Sequence, residues 1–216
     1  MQHQSVALTV QADPSSADPF LRATDVIDWT APEIQALARE LAAGAADPLE
    51  IARACFEWVR DRIGHCVDYD RDEVTCNASE VLQVGTGFCY AKSHLLVALL
   101  RANGLRAGFC YQRLVVNDPT GPFVLHGLAA VDLGAKPGEA DWYRIDPRGN
   151  KPGVDAQFVP PVEQLAFPIT VPGEILFPKV YADPVRVIVE TLRTNASARA
   201  LLRKLPDPAT EAELES

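Results

Sequence analysis

The chain has 216 residues, 48% hydrophobic and 23% charged, enough to bury a substantial core without disulfide staples. This composition excludes disorder throughout, collagen-like repeats and a coiled coil. With 20 Lys and Arg against 29 Asp and Glu the formal charge is −9, which argues against a general nucleic-acid or membrane-surface role.

The five cysteines, at 55, 66, 76, 89 and 110, are odd in number and contain no CxxC, so neither a fully paired disulfide framework nor a structural zinc site is expected. No metal or cofactor is read from the sequence. The first residues lack a basic stretch followed by a long apolar run, and no segment approaches the ~18 apolar residues of a membrane span. Together these features predict a cytoplasmic protein with reduced thiols.

Along the chain, alternation at Val6, Leu8 and Val10 predicts a short strand, followed by turn signals at Asp13-Pro14 and Asp18-Pro19. Thr30 with Glu33 three residues later predicts a capping box opening a helix that Gly44 ends. Asp47-Pro48 opens a second helix, whose apolar stripe through Cys55, Trp58 and Val59 faces a core. Asn77–Leu82 reads as one capped helical turn, followed by the Gly85-Thr86-Gly87 loop. A helix then begins at Cys89, runs through six apolar residues from Leu95 to Leu100 and stops at Asn103-Gly104. Apolar nearly all round, it should be the central, buried one.

Beyond Gly104 the pattern becomes β-branched and aromatic. Strands are expected over 109–116, 123–133 and 142–146, forming an antiparallel sheet against the central helix in an α+β fold. A proline-rich segment from Pro160 to Pro178 should wrap the domain irregularly. Asp183-Pro184 predicts a capped helix to about Arg193, and a shorter one follows over Ser197–Leu205. This gives a single domain over 1–205 with an acidic, frayed tail over 206–216.

A cysteine on the first turn of a helix gains thiolate character from unpaired N–H groups and the helix dipole, and the same N–H groups can receive an oxyanion. A lone helical cysteine is more often a small buried hydrophobe, so its partners matter. His3 lies in an expected N-terminal tail. His94, five residues beyond Cys89, lies about 140° around the helix and cannot face the thiol. His65 is a candidate partner without further support, and His126, inside the second strand with Gly127 leaving room beside it, is the better one. Asp132 is about 20 Å along the same strand and cannot orient His126. If the 126–132 and 142–146 strands pair about a turn centred near residue 137, Asp146 falls opposite residue 128 and becomes the diagonal neighbour of His126.

The segment Gly87-Phe88-Cys89-Tyr90 through Leu99-Leu100-Arg101-Ala102-Asn103-Gly104-Leu105-Arg106-Ala107 resembles the nucleophile helix of the transglutaminase-like superfamily. His126 and Asp146, the latter in Arg144-Ile145-Asp146-Pro147, resemble its other two catalytic positions in order and separation. The resemblance covers roughly residues 48–150. It implies a papain-like fold, with a Cys-bearing helix on an antiparallel sheet carrying His and Asp, and a catalytic triad of Cys89, His126 and Asp146. The chain departs from the family pattern in having Leu128-Ala129-Ala130-Val131 after the histidine and Arg106 in place of proline after the helix.

The resemblance implies acyl transfer through a thioester on a peptide, amide or ester substrate. No β-sandwich domain or calcium loop is read, so a bacterial-type hydrolase (peptidase or amidase) is expected rather than a cross-linker. Arg148 and Asn150 are candidate cleft residues, though Asn and Gly there also suit a plain turn. The alternatives are an inactive peptide-binding module on the same fold, and a redox sensor pairing Cys89 with Cys66, Cys76 or Cys110.

Overall fold

The computed structural model describes residues 12–115, 120–134 and 140–215. The strand expected at 6–10, and parts of the loops expected on either side of the second long strand, fall outside those residues. The elements run α1 (Pro32–Ala42), α2 (Pro48–Arg62), β1 (Gly64–His65), α3 (Ala78–Val84), β2 (Thr86–Gly87), α4 (Cys89–Ala102), β3 (Ala107–Val115), β4 (Phe123–Asp132) and β5 (Trp142–Ile145). They continue with β6 (Gln157–Val159), β7 (Val162–Gln164), β8 (Ile175–Leu176), α5 (Arg186–Thr194), α6 (Ala198–Leu202) and α7 (Glu211–Glu215).

The fold is α+β, and α4 is its centre. Every residue from Cys89 to Arg101 is buried, because α1, α2 and α3 pack on one side and β3 and β4 on the other. The main sheet has the order β5-β4-β3-β8 and is antiparallel throughout. Leu125, Ala129 and Val131 face the main core with Phe109 and Tyr111 of β3, while Cys110, Leu128 and Ala130 form a smaller cluster on the other face. α4 packs tightly on β4 at Gly127. A Cβ there would lie 2.7 Å from Cδ1 of Tyr90, and the Tyr90 hydroxyl donates to the carbonyl of Leu125. The room beside His126 is thus filled by the Tyr90 ring.

Local signals explain most element boundaries. Asp47 caps α2, its carboxylate accepting from the N–H of Glu50 at 2.9 Å. Ser197 caps α6 through the N–H of Ala200. Gly85, with φ 73°, ends α3 in the left-handed conformation glycine favours.

Other boundaries differ from expectation. Helix α1 starts at Pro32 behind Ala31 with no side-chain cap, so no capping box forms at Thr30 and Glu33. α5 starts at Arg186 rather than after Asp183, whose carboxylate is drawn into an ion pair with Arg22. Helix α3 makes two turns, longer than one, with no side-chain bond from Asn77. The proline-rich segment contains the β6–β7 hairpin and contributes β8 to the main sheet. The stretch expected to fray is docked. Pro206 accepts from the N–H of Leu125 at 2.8 Å, Asp207 pairs with Arg113, and α7 buries Leu214.

Replacing Gly127 by Ala forces a methyl into the Tyr90 ring. Such overpacking costs about 1–3 kcal/mol, and urea unfolding should show a loss of that size.

Candidate active site

Cys89 occupies the first position of α4 and is 3% exposed. The approach to it is built in three steps. Gly85 reverses the chain, Thr86–Gly87 pairs in parallel with Gly64–His65, and Phe88 caps α4 with extended backbone. Thr86 fixes this path, its hydroxyl donating to the carbonyl of Gly64 while its own carbonyl accepts from Thr75. A Cβ on Gly87 would come within 3.1 Å of the Ala91 methyl and 3.2 Å of Thr75 Oγ1, so glycine lets the strand turn tightly into the helix. The first-turn N–H groups of α4 have no intrahelical acceptors and surround the Cys89 position.

His126 lies on β4 opposite Gln112 of β3 and is 5% exposed. Asp146 follows β5 directly and is fully buried. The β4–β5 register pairs Ala129 with Ile145 and Ala130 with Arg144, which sets Asp146 opposite Leu128 if continued by one residue. That is the register expected from the sequence, and it brings the two side chains together. Nε2 of His126 and Oδ2 of Asp146 are 2.8 Å apart. The same Oδ2 accepts the N–H of Ala166 at 3.2 Å, and Oδ1 accepts the N–H of Arg148 at 3.1 Å. With three hydrogen bonds, the buried carboxylate is well satisfied. Nε2 being occupied by Asp146, Nδ1 is the ring nitrogen left for the neighbouring Cys89.

Burial, the largest influence on His126, opposes its charge. The carboxylate of Asp146 and the neighbouring sulfur of Cys89 outweigh it, and the imidazole is pushed up to about 10. Phe167 sets its ring edge-on to His126, with centroids 5.1 Å apart, and its carbonyl accepts from Gln112. The apolar Ala166 and Phe167 sit in a proline-rich stretch whose sequence carries no sign that they close over the histidine.

The other candidates are placed apart. His94 bonds the carbonyl of Cys76 through Nδ1 at 2.7 Å, and burial pulls it down to about 4. Asp132 pairs with Arg106, the residue standing where the family pattern has proline, and Arg106 also binds Asp18. Arg106 therefore ties the entry of β3 to the N-terminal segment. Trp58 is partly buried against the main core. His65 stacks on Phe88 with centroids 5.1 Å apart, on the strand beside Gly87. All five cysteines are free and buried. Burial pushes Cys55 and Cys110 up to about 12 and Cys66 to about 11, and raises Cys76 as well.

The transglutaminase-like superfamily core matches residues 35–147, spanning the elements that carry all three side chains. The chain belongs to the transglutaminase-like superfamily. Uncharacterized proteins of Mycobacterium tuberculosis and Mycobacterium bovis are each 30% identical to it over 159 residues, covering 68% of this chain and 49% of the relative. The chain thus spans about half the length of the curated relatives it matches. Among solved structures it is similar to a protein of Cytophaga hutchinsonii named as a candidate cysteine protease, with 18% identity and a TM-score of 0.47 over 60% of this chain and 41% of that one. It is also similar to the periplasmic domain of TgpA from Pseudomonas aeruginosa, with 21% identity and a TM-score of 0.41 over 54% and 42%. No helix among the described residues is long and apolar enough to cross a membrane.

Because His126 is raised above the ordinary imidazole value, the stability it adds through Asp146 is fully present below about pH 6.5. It is lost as pH rises through about 10. The gap in unfolding free energy between the native chain and Asp146→Asn should narrow steadily from pH 6.5 toward pH 10. A gap independent of pH would refute the pairing.

Proposed function

We propose that the chain is a cysteine-dependent acyl-transfer enzyme that hydrolyses a peptide, amide or ester through a Cys89–His126–Asp146 triad. The observation that supports this reading best is the buried His126–Asp146 pair, held by Nε2 at 2.8 Å, beside a cysteine on the first turn of α4. The family adds to it, because members share a core built to bring such residues together.

In this reading Cys89 Sγ attacks the substrate carbonyl, and the electron pair of the C=O bond moves onto oxygen. The N–H groups at the start of α4 receive that charge. As the tetrahedral species collapses, the C–N or C–O bond breaks and His126 delivers its proton to the departing amine or alcohol. Water then attacks the thioester and gives a proton to His126, the C–S bond breaks with its electron pair returning to sulfur, and the Cys89 thiolate beside the imidazolium is restored as the carboxylic acid leaves. Asp146 fixes the ring and supports its charge throughout. The free, buried cysteines fit a reducing, cytoplasmic setting.

Alkylation mapped by mass spectrometry tests the nucleophile. At pH 6 iodoacetamide should modify Cys89 ahead of the other four cysteines, and His126→Ala should remove that advantage. With an amide or ester substrate found by library screening, Cys89→Ala should abolish turnover and His126→Ala should reduce it by roughly 10²–10⁴-fold. An inert Cys89 in the folded native chain, or turnover that survives Cys89→Ala, would overturn the assignment.

A further inference from the structure

A cavity of about 430 Å³ lies between the end of α2, the loop after β1 and the turn after β5; Cys89 and His126 do not line it, and it meets the proposed triad through His65, which pairs with Gly87 and stacks on Phe88 just ahead of Cys89. Two of its wall residues are tied to the proposed triad. Lys92 stands three residues beyond Cys89 on α4, about one helical turn away, and Arg148 donates its backbone N–H to Asp146. The ionisable acids and bases lining the cavity include Arg60, Asp61, Asp68, Lys92, Arg148 and Lys151, four basic groups against two carboxylates, with burial pulling Lys92 down to about 7. In a chain whose formal charge is −9, this is a local reversal of sign.

The two carboxylates do not cancel it. Asp61 is taken up by Arg60, and Asp68 is shared between Arg148 and Lys151. Lys92 has no carboxylate in contact. Its ammonium is buried below the cavity floor and donates to the main-chain carbonyls of Ile63 and Arg60. A second observation points the same way. His65 lines the cavity, is 5% exposed, and its buried Nδ1 has no hydrogen-bond partner. In the tautomer that protonates Nδ1, this nitrogen is free to donate to a ligand oxygen. At the rim, Tyr69 packs against Gly64 and leaves 70% of itself exposed.

We propose that this cavity is the subsite for a carboxylate carried by the substrate of Cys89, received by Arg148 and Lys151 at the wall and by the His65 ring at the floor. The proposal rests on the acyl-transfer reading for its reaction, and it adds the charge class of the substrate. A cationic group is disfavoured because the excess lining charge is positive, and Asp68 already has two partners.

Paired electrophiles of equal size test it. N-iodoacetylglycine and N-iodoacetylglycinamide differ only in the terminal carboxylate, and their rate ratio with N-acetylcysteine sets the intrinsic preference. At Cys89 the acid should be favoured over that reference by about tenfold, the lower end of what a charged cleft supplies. Asp68→Asn should raise the preference and Lys151→Gln should lower it, although neither variant touches His126. Added salt should lower it in the native chain. A preference at or below the reference, a higher rate with an iodoacetyl amine, or both variants moving the ratio the same way would overturn the subsite.

A measurement that does not need the nucleophile separates this from failure of the acyl-transfer reading. In Cys89→Ala protein, N-acetylglycine should shift the His65 ring resonances, and N-acetylglycinamide should not. Equal responses overturn the subsite even if Cys89 is reactive. Selective response with an inert Cys89 in the native chain keeps the anion site and removes the reaction.

Discussion

Helix α4 is buried on every side and yet carries Tyr90, Lys92, Ser93, His94 and Arg101, so the molecule is organised around giving those groups acceptors. Each finds a main-chain carbonyl on a neighbouring element. Tyr90 reaches Leu125 and Ser93 reaches Gly127, fixing the helix to β4 on both sides of His126. Lys92 reaches Ile63 and Arg60 at the end of α2, and His94 reaches Cys76 ahead of α3. Arg101 binds the carbonyls of Arg22, Ala107 and Ala182, drawing the N-terminal segment, β3 and the approach to α5 onto the helix end. Leaving any one of these buried donors unmade costs about 1–3 kcal/mol, more for the charged ones. The helix can therefore sit in one rotation and one register, and that is what fixes Cys89 relative to His126.

The sequence carried much of this because the relevant signals are local. Six apolar residues after Cys89 and the Asn103-Gly104 stop define α4 within its own span. The Asp146 placement needed only the symmetry of a hairpin, in which a two-residue side-chain period turns register into facing. The boundaries that were not legible depend on distant partners. Asp183 has the chemistry of a helix cap but finds Arg22 instead, and Thr30 loses its role because Pro32 begins the helix. The acidic end of the chain looks frayed by composition, yet one buried Leu214 and the partners Arg113 and Lys179 hold it down. Ala166 and Phe167 are invisible as site residues, because an N–H donor and an aromatic edge leave no mark on residue type.

Electrostatics divide the molecule in a way composition alone conceals. The surplus of acidic residues is spread over the chain, while Lys92, Arg148 and Lys151 gather around one cavity. Within the core, burial without a cationic neighbour pushes Cys55 and Cys66 away from ionisation. Cys89 differs in its surroundings, standing at the start of a helix and beside a histidine that Asp146 keeps charged. The same side chain is thus a core filler at one position and a candidate nucleophile at another, and the difference lies in placement.

The central claim is that Asp146 holds His126 as an imidazolium, bonded through Nε2 and turned with Nδ1 toward Cys89. Nitrogen-15 NMR of the histidine rings across pH 5 to 10 tests it directly. The account predicts that His126 keeps both ring nitrogens protonated through pH 8 in the native chain and becomes neutral near or below pH 6.5 in Asp146→Asn. A native His126 that titrates with an ordinary imidazole midpoint, or one unchanged by Asp146→Asn, would contradict it.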